Sequence, residues 1–269
     1  MNARAQAAGP GSAPTRSIDL GLKGRVVLVT GGVRGVGAGI TRTLSLLGAV
    51  AVVCGRTPAD EPDLDFVTCD VRDADAVDAM VDAIATRHGR LDGVVNNAGG
   101  SPFALAADVS ARFVGKIIEL NLVAPLGVAR AANRIMQQQD SGGTIVNVSS
   151  VSGHRPSPGT SAYGAAKAGL DNAMSSLAVE WAPRVRVNSV VCGPVLTEQS
   201  HLHYGDDDGV AAVGATIPMG RLATPEDVGN AVAFLLSPLA EYITGSTITV
   251  HGGGERPAFL DAATAGNQI

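Results

Sequence analysis

The chain has 269 residues, enough for one sizeable domain, and its net charge of −5 argues against a nucleic-acid-binding surface. Hydrophobic residues make up 45% but aromatics only 3%, so the core must be built from Val, Leu, Ile and Ala, a set that suits parallel strands buried on both faces. The apolar runs are too short to span a bilayer, and the scattered Cys54, Cys69 and Cys192 form neither a disulfide framework nor a zinc spacing. Small buried thiols fit a reducing cytoplasm.

Residues 1–16, rich in Ala, Gly and Pro, have no signal-like apolar core and are expected to be a disordered tail. A β-branched strand over 25–30 (RVVLVT) runs directly into GGVRGVGAG, followed by a helix over 35–47 with Ile40, Leu44 and Leu47 as its stripe. Strand, glycine turn and helix together present backbone N–H groups and a helix N-terminus to a phosphate. The spacing Gly31-x-x-x-Gly35-x-Gly37 is not G-x-G-x-x-G, and a plain tight turn would look similar.

A second strand near 50–54 ends in Gly55 and Arg56, where an acid would bind a ribose hydroxyl. Arg56 and Arg34, the latter inside the glycine turn, suit a ribose 2′-phosphate instead, although a solvated arginine at a strand end is the bland alternative. Further strands are expected near 65–68, 92–96, 143–149, 185–191 and 246–250, and helices near 73–88, 109–137, 161–182 and 225–236. The alternation predicts an α/β fold: a single-domain, Rossmann-like, doubly wound parallel sheet with helices on both faces, spanning 17–254, with a C-terminal tail over 255–269.

Within SAYGAAKAGL, Tyr163 and Lys167 are four residues apart and share a helix face. A phenol titrates near about 10, and a neighbouring ammonium should draw it down, making the pair a tunable acid/base for carbonyl–alcohol interconversion. One of the paired serines, Ser149 or Ser150, is placed to hold a substrate oxygen. Asn121 lies within a long apolar helix, where an amide is costly unless satisfied; it could serve a site or stabilise a kink.

The ordered segments TGGVRGVG (30–37), CDV (69–71), NNAG (96–99), ELNLVAP (119–125), TIVNVSS (144–150), YGAAK (163–167), VRVNSVVCGPVLT (185–197), GRLATPEDV (220–228) and ITGSTITVHGG (243–253) resemble a classical short-chain dehydrogenase/reductase over about residues 20–254. The resemblance implies Asn121, Ser150, Tyr163 and Lys167 as the catalytic residues, with Ser149 structural and Asn121 keeping a water connected to Lys167. It implies cofactor contacts from Gly31, Val33, Arg34, Gly35, Val36, Arg56, Thr57, Asp70, Val71, Asn97, Ala98, Gly99, Tyr163, Lys167, Gly193, Val195 and Thr197. Among these, Asp70 would face the adenine amino group, Val71 the adenine ring, Lys167 the nicotinamide ribose and Thr197 the carboxamide. Cys192 stands where that family usually has proline and His251 where it usually has an acid, which bears on the local backbone and packing.

The expected activity is an NADP(H)-dependent oxidoreductase, with NAD(H) also possible, acting on a small carbonyl or alcohol. The alternative is a non-catalytic NADP(H)-sensing regulator on the same fold. Residues 198–217 read as a polar substrate loop; His201 and His203 at i, i+2 share no helix face, and no metal site is expected. Val151, Ser152, Pro156, Val195 and Leu196 near the catalytic serine suggest a neutral, fairly apolar substrate, with Arg155 the single fixed charge nearby. The helices over 109–137 and 161–182 are apolar on more than one face, which together with the resemblance predicts a homotetramer, with no nucleic-acid or membrane partner.

Overall fold

The structure is a computed structural model that describes residues 19–58 and 64–264; the tail expected over 1–16 lies outside the described residues. Among the described residues, seven strands form one parallel sheet: β1 (Val26–Thr30), β2 (Val50–Gly55), β3 (Asp65–Thr68), β4 (Gly93–Asn96), β5 (Gly143–Ser150), β6 (Val185–Cys192) and β7 (Thr247–Val250). Their spatial order is β3-β2-β1-β4-β5-β6-β7. The order reverses between β1 and β4, and a ligand crevice forms beyond the carboxyl ends of strands at such a point.

Residues of β1 alternate between two cores because successive side chains point to opposite faces. Val26 and Leu28 pack with Ile84 of α2 (Ala74–His88), Met136 of α4 (Ala124–Met136), and Leu170 and Met174 of α5 (Ser161–Trp181). Val27 and Val29 pack with Ile40 and Leu44 of α1 (Gly35–Leu46) and with Val228 and Leu235 of α8 (Pro225–Leu236). The unbroken apolar run Val26–Val29 follows from burial on both faces. The α1 and α8 backbones meet at glycine: a Cβ on Gly39 would sit 2.2 Å from Pro225 Cβ, and one on Gly229 would sit 2.4 Å from Thr43 Oγ1.

The ends of these helices follow local chemistry. Asp73 accepts from Asp75 N and Ala76 N to cap α2, which ends at Gly89 in the left-handed conformation (φ 72°). Thr224 and Asp227 form a reciprocal capping box on α8, with Pro225 in its first turn.

Two expectations are corrected. The helix expected over 109–137 is α3 (Ala111–Ile118) and α4 joined by a π-helical turn at Glu119–Val123, with Asn121 inside it. The expected loop over 198–217 contains α6 (His201–Tyr204) and α7 (Asp207–Ala215), the latter capped by Asp206, which accepts from Gly209 N at 3.0 Å. A last short helix, α9 (Ala258–Ala262), lies in the segment expected to be a tail. Among the described residues, no helix is long and apolar enough to cross a membrane.

Candidate active site

A cleft of about 1050 Å³ opens at the carboxyl ends of the strands. Its walls include Gly31, Val33, Arg34, Gly35, Val36, Arg56, Thr57, Asp70, Val71, Asn97, Ala98, Gly99, Ser150, Tyr163, Lys167, Gly193, Val195 and Thr197. One expected site residue, Asn121, is absent from these walls and fully buried behind them.

The glycine turn is held from the next strand end. Asn97 Nδ2 donates to the carbonyls of Thr30 (2.9 Å) and Gly31 (3.1 Å), while Thr30 Oγ1 accepts from the backbone N–H of Asn97 and of Ala98, each at 3.0 Å. Gly31 adopts φ 65° and Gly35 φ 50°, values that disfavour other residues. A Cβ on Gly37 would lie 2.2 Å from Gly31 O, so the helix start packs directly on the turn. Arg34 gives α1 no side-chain cap, and no acid stands in the first turn. The first helical N–H groups are therefore available to an anion. This cradle and the size of the cleft fit a dinucleotide.

At the far end of β2, Arg56 follows Gly55 and is exposed, as is Arg34. Neither forms an ion pair among the described residues. Asp70 differs from the expected picture: Arg72 donates to both of its oxygens, at 2.9 and 2.6 Å. That hydrogen bonding holds the Asp70 carboxyl down at about 2. It stays an ionised acceptor, already engaged by Arg72 before any adenine group is considered.

The catalytic candidates converge on the inner face of α5. Lys167 is buried; its Nζ donates to Val148 O at 2.8 Å and lies 5.6 Å from the centre of the Tyr163 ring. Ser150 ends β5 and accepts from Ser152 N at 3.2 Å. Burial pushes the Tyr163 phenol up to about 12, while a hydrogen-bonding interaction with Ser150 draws it down. The expected depression of the phenol by Lys167 is thus not met, because desolvation wins. Burial also lowers Lys167 to about 8, with Cys192 and Asp171 acting in the opposite direction. At neutral pH the pair is a protonated phenol beside a mostly charged ammonium.

Asn121 supports this wall from behind. Its Oδ1 accepts from Gly100 N at 2.8 Å, and its Nδ2 donates to Gly100 O (3.0 Å) and Ile117 O (2.9 Å). Both side-chain donors are therefore committed to backbone. The kink and the site coincide here, because the π-turn is what brings the amide to Gly100.

The opposite wall starts where β6 runs out. Gly193 N donates to Val250 O at 2.9 Å, so the strand pairing continues past Cys192 despite the missing proline. A Cβ on Gly193 would lie 2.8 Å from His251 Cβ, which shows His251 packed against this turn. The buried Cys192 lines the cleft, and burial raises its thiol to about 12, as it does for Cys54. Thr197 N donates to Ser200 Oγ at 2.9 Å, leaving the Thr197 side chain on the cleft wall.

His203 and Tyr204 of α6 also line the cleft. His201 bonds Gly205 O at 3.0 Å, and its Nε2 stands 4.0 Å from Asp207. Among the described residues, no group of three or more His, Cys, Asp or Glu is placed to hold a metal. His203 and Tyr204 belong to the expected substrate loop and Cys192 to the expected departure from the family, whereas Thr30 was not among the expected site residues. The strand-end position of Thr30, immediately before the glycine turn, was the available signal for it.

A family model described as "Enoyl-(Acyl carrier protein) reductase" matches residues 31–255. An uncharacterized short-chain type dehydrogenase/reductase from Sinorhizobium fredii is 36% identical over 86% of this chain, and the match spans 43% of that protein. The cis-4-hydroxycyclohexanecarboxylate dehydrogenase of Sinomonas cyclohexanicum is 36% identical over 85% of this chain and 96% of its own length. Among solved structures, the ligand-free aldohexose dehydrogenase of Thermoplasma acidophilum superposes with a TM-score of 0.82 at 30% identity, covering 86% of this chain and 94% of that one.

Proposed function

The chain belongs to the short-chain dehydrogenase/reductase family and is an NAD(P)-dependent oxidoreductase; on that premise we propose that it interconverts a ketone or aldehyde and an alcohol, with NADP(H) as the preferred cofactor. The observation that carries this reading is that Ser150, Tyr163 and Lys167 share one cleft with the glycine turn. When bound, the nicotinamide supplies or accepts the hydride. Ser150 holds the substrate oxygen by a hydrogen bond. Tyr163 donates its proton to that oxygen in reduction and receives one from the alcohol in oxidation. The Lys167 ammonium stabilises the phenolate left behind.

The reading extends to the remaining residues of the cleft. Gly31, Val33, Gly35 and Val36 bring backbone to the pyrophosphate, and Arg34 and Arg56 take the ribose 2′-phosphate. Thr57, Asp70 and Val71 border the adenosine. Asn97, Ala98 and Gly99 form the floor, while Gly193, Val195 and Thr197 border the nicotinamide carboxamide. Lys167 also reaches the nicotinamide ribose, and Asn121, whose Oδ1 lies beside Gly99 as does Lys167 Nζ, keeps a water connected to Lys167. NAD(H) remains a usable but weaker cofactor. A non-catalytic sensor has no feature of its own in support.

The proposed substrate is neutral and fairly apolar. Arg155, close to the catalytic serine, is paired with Glu255 and so is already neutralised. An anionic substrate would want a converging cationic clamp. We assign the catalytic domain to 17–254 and propose a homotetramer in the cytoplasm. Ala165 and Ala168 on α5 are exposed, and Val179 (82%) and Val123 (55%) are apolar positions open to a partner. Three buried free thiols suit a reducing compartment.

The test is a panel of ketones and secondary alcohols with both nicotinamide cofactors, repeated with Tyr163→Phe. Turnover should fall by at least about 10²-fold in that variant, the lower bound for general acid–base catalysis, while cofactor binding is retained. Near-wild-type turnover would overturn the assignment.

A further inference from the structure

Three residues follow one another at four-residue steps on the inner face of α5, and each engages the end of β5. Tyr163 interacts with the Ser150 hydroxyl, Lys167 donates to Val148 O at 2.8 Å, and Asp171 Oδ2 accepts from Ser149 Oγ at 2.6 Å. Equal i, i+4, i+8 spacing on one helix thus meets three consecutive strand residues. Asp171 is 8% exposed and Ser149 2%. The same carboxylate oxygen lies 3.0 Å from His154 Nε2, just beyond the turn that follows Ser150, and the His154 side chain is 48% exposed. An ionised carboxylate only accepts, so Ser149 and the His154 Nε2–H both donate to it.

The other oxygen, Asp171 Oδ1, is buried with no hydrogen-bond partner among the described residues. A buried carboxylate half unsatisfied is costly unless a nearby opposite charge offsets it. That charge is the Lys167 ammonium, one helical turn away. Lys167 on the same helix, Ser149 from β5 and His154 from the following turn are the groups that face this carboxylate. Cys192 from β6 faces Lys167, with its thiol held neutral by burial.

We propose that Asp171 is a positioning residue for the reaction: the Ser149–Asp171–His154 chain fixes the Ser150 end of β5 against α5 and keeps a negative charge one turn from Lys167, so that its ammonium persists in a dry site. The inference rests on the reading of Tyr163 and Lys167 as the acid/base pair.

Lysine 13Cε NMR titration of the full chain tests the electrostatic part without any substrate. In Asp171→Asn the hydrogen-bonding shape is kept and the charge is lost, so the Lys167 titration should move down by about 0.5–1 pH unit. In the reduction direction, kcat should fall about tenfold, its alkaline limb should shift to lower pH, and KM should stay within about twofold, the pattern of an effect on the chemical step. His154→Ala should move the same limb by less, and His154→Gln, which restores an N–H donor, should recover it. A Lys167 titration and alkaline limb unmoved in Asp171→Asn, with only thermal stability lowered, would overturn the proposal. If Asp171→Asn does not fold, an unmoved limb in His154→Ala overturns it instead. Failure of the acid/base reading itself is distinguishable, because an active Tyr163→Phe would remove that reading while the NMR titration still judges the Asp171–Lys167 link.

Discussion

Arg56→Ala should weaken NADPH binding while leaving NADH binding within about twofold. A hydrogen bond to a charged group contributes about 1.5–3 kcal/mol. Arg56 is exposed at the end of β2, and Arg34 borders the same cleft and can share the phosphate, which places the loss at the lower end. A loss of about 1.5–2 kcal/mol corresponds to a Kd roughly 10- to 30-fold higher. The assay is titration of NADPH and NADH by their own fluorescence, at low and at moderate salt, because an exposed guanidinium–phosphate contact is screened. The discrimination should shrink as salt rises. Equal losses for both cofactors would refute the reasoning, since Arg56 would then act on a part they share. Equal NADH and NADPH affinities in the unaltered protein would refute it as well.

Gly37→Ala should weaken both cofactors alike and lower stability by about 1–3 kcal/mol, because the new Cβ would meet Gly31 O at 2.2 Å and must displace the turn; calorimetry and cofactor titration check this. Asp227→Ala should cost about 1 kcal/mol near neutral pH by removing the α8 capping box and a part-exposed contact with Arg221. The Arg221 hydrogen bond holds the folded Asp227 pKa down at about 2, below the unfolded value near 3.9. Its contribution is therefore complete above about pH 4 and lost as pH falls through about 2, and melting temperatures of the two proteins should converge over that window. Light scattering at micromolar concentration should report a tetramer, and a monomer would contradict the reading of the exposed apolar positions on α5 and at Val123.

The sheet was legible because a buried parallel strand writes itself locally: VVLVT and VAVVCG are apolar nearly throughout, with no polar residue alternating onto a solvent face. Tyr163 and Lys167 were legible for the same reason, since helical spacing alone puts them on one face. Other features required the folded chain. A helix through Asn121 was expected, but the partner of its amide, Gly100, which supplies both a donor and an acceptor, lies 21 residues away. The expected lowering of the Tyr163 pKa was reversed because burial, a property of the assembled site, outweighed the neighbouring cation. The helix over 207–215 was hidden by its glycines and aspartates, whose weak helix propensity gives way to the Asp206 cap, and the one over 201–204 is a single turn, too short to show a period. Arg155 looked like a free cation until its partner, Glu255, arrived from 100 residues further along. Asp171 sits at a readable helical step from Lys167, yet what it binds, Ser149 and His154, was decided by how α5 lies against the end of β5. Period and propensity act over a few residues, whereas burial, charge pairing and hydrogen-bond partners are set by segments that only the tertiary fold brings together.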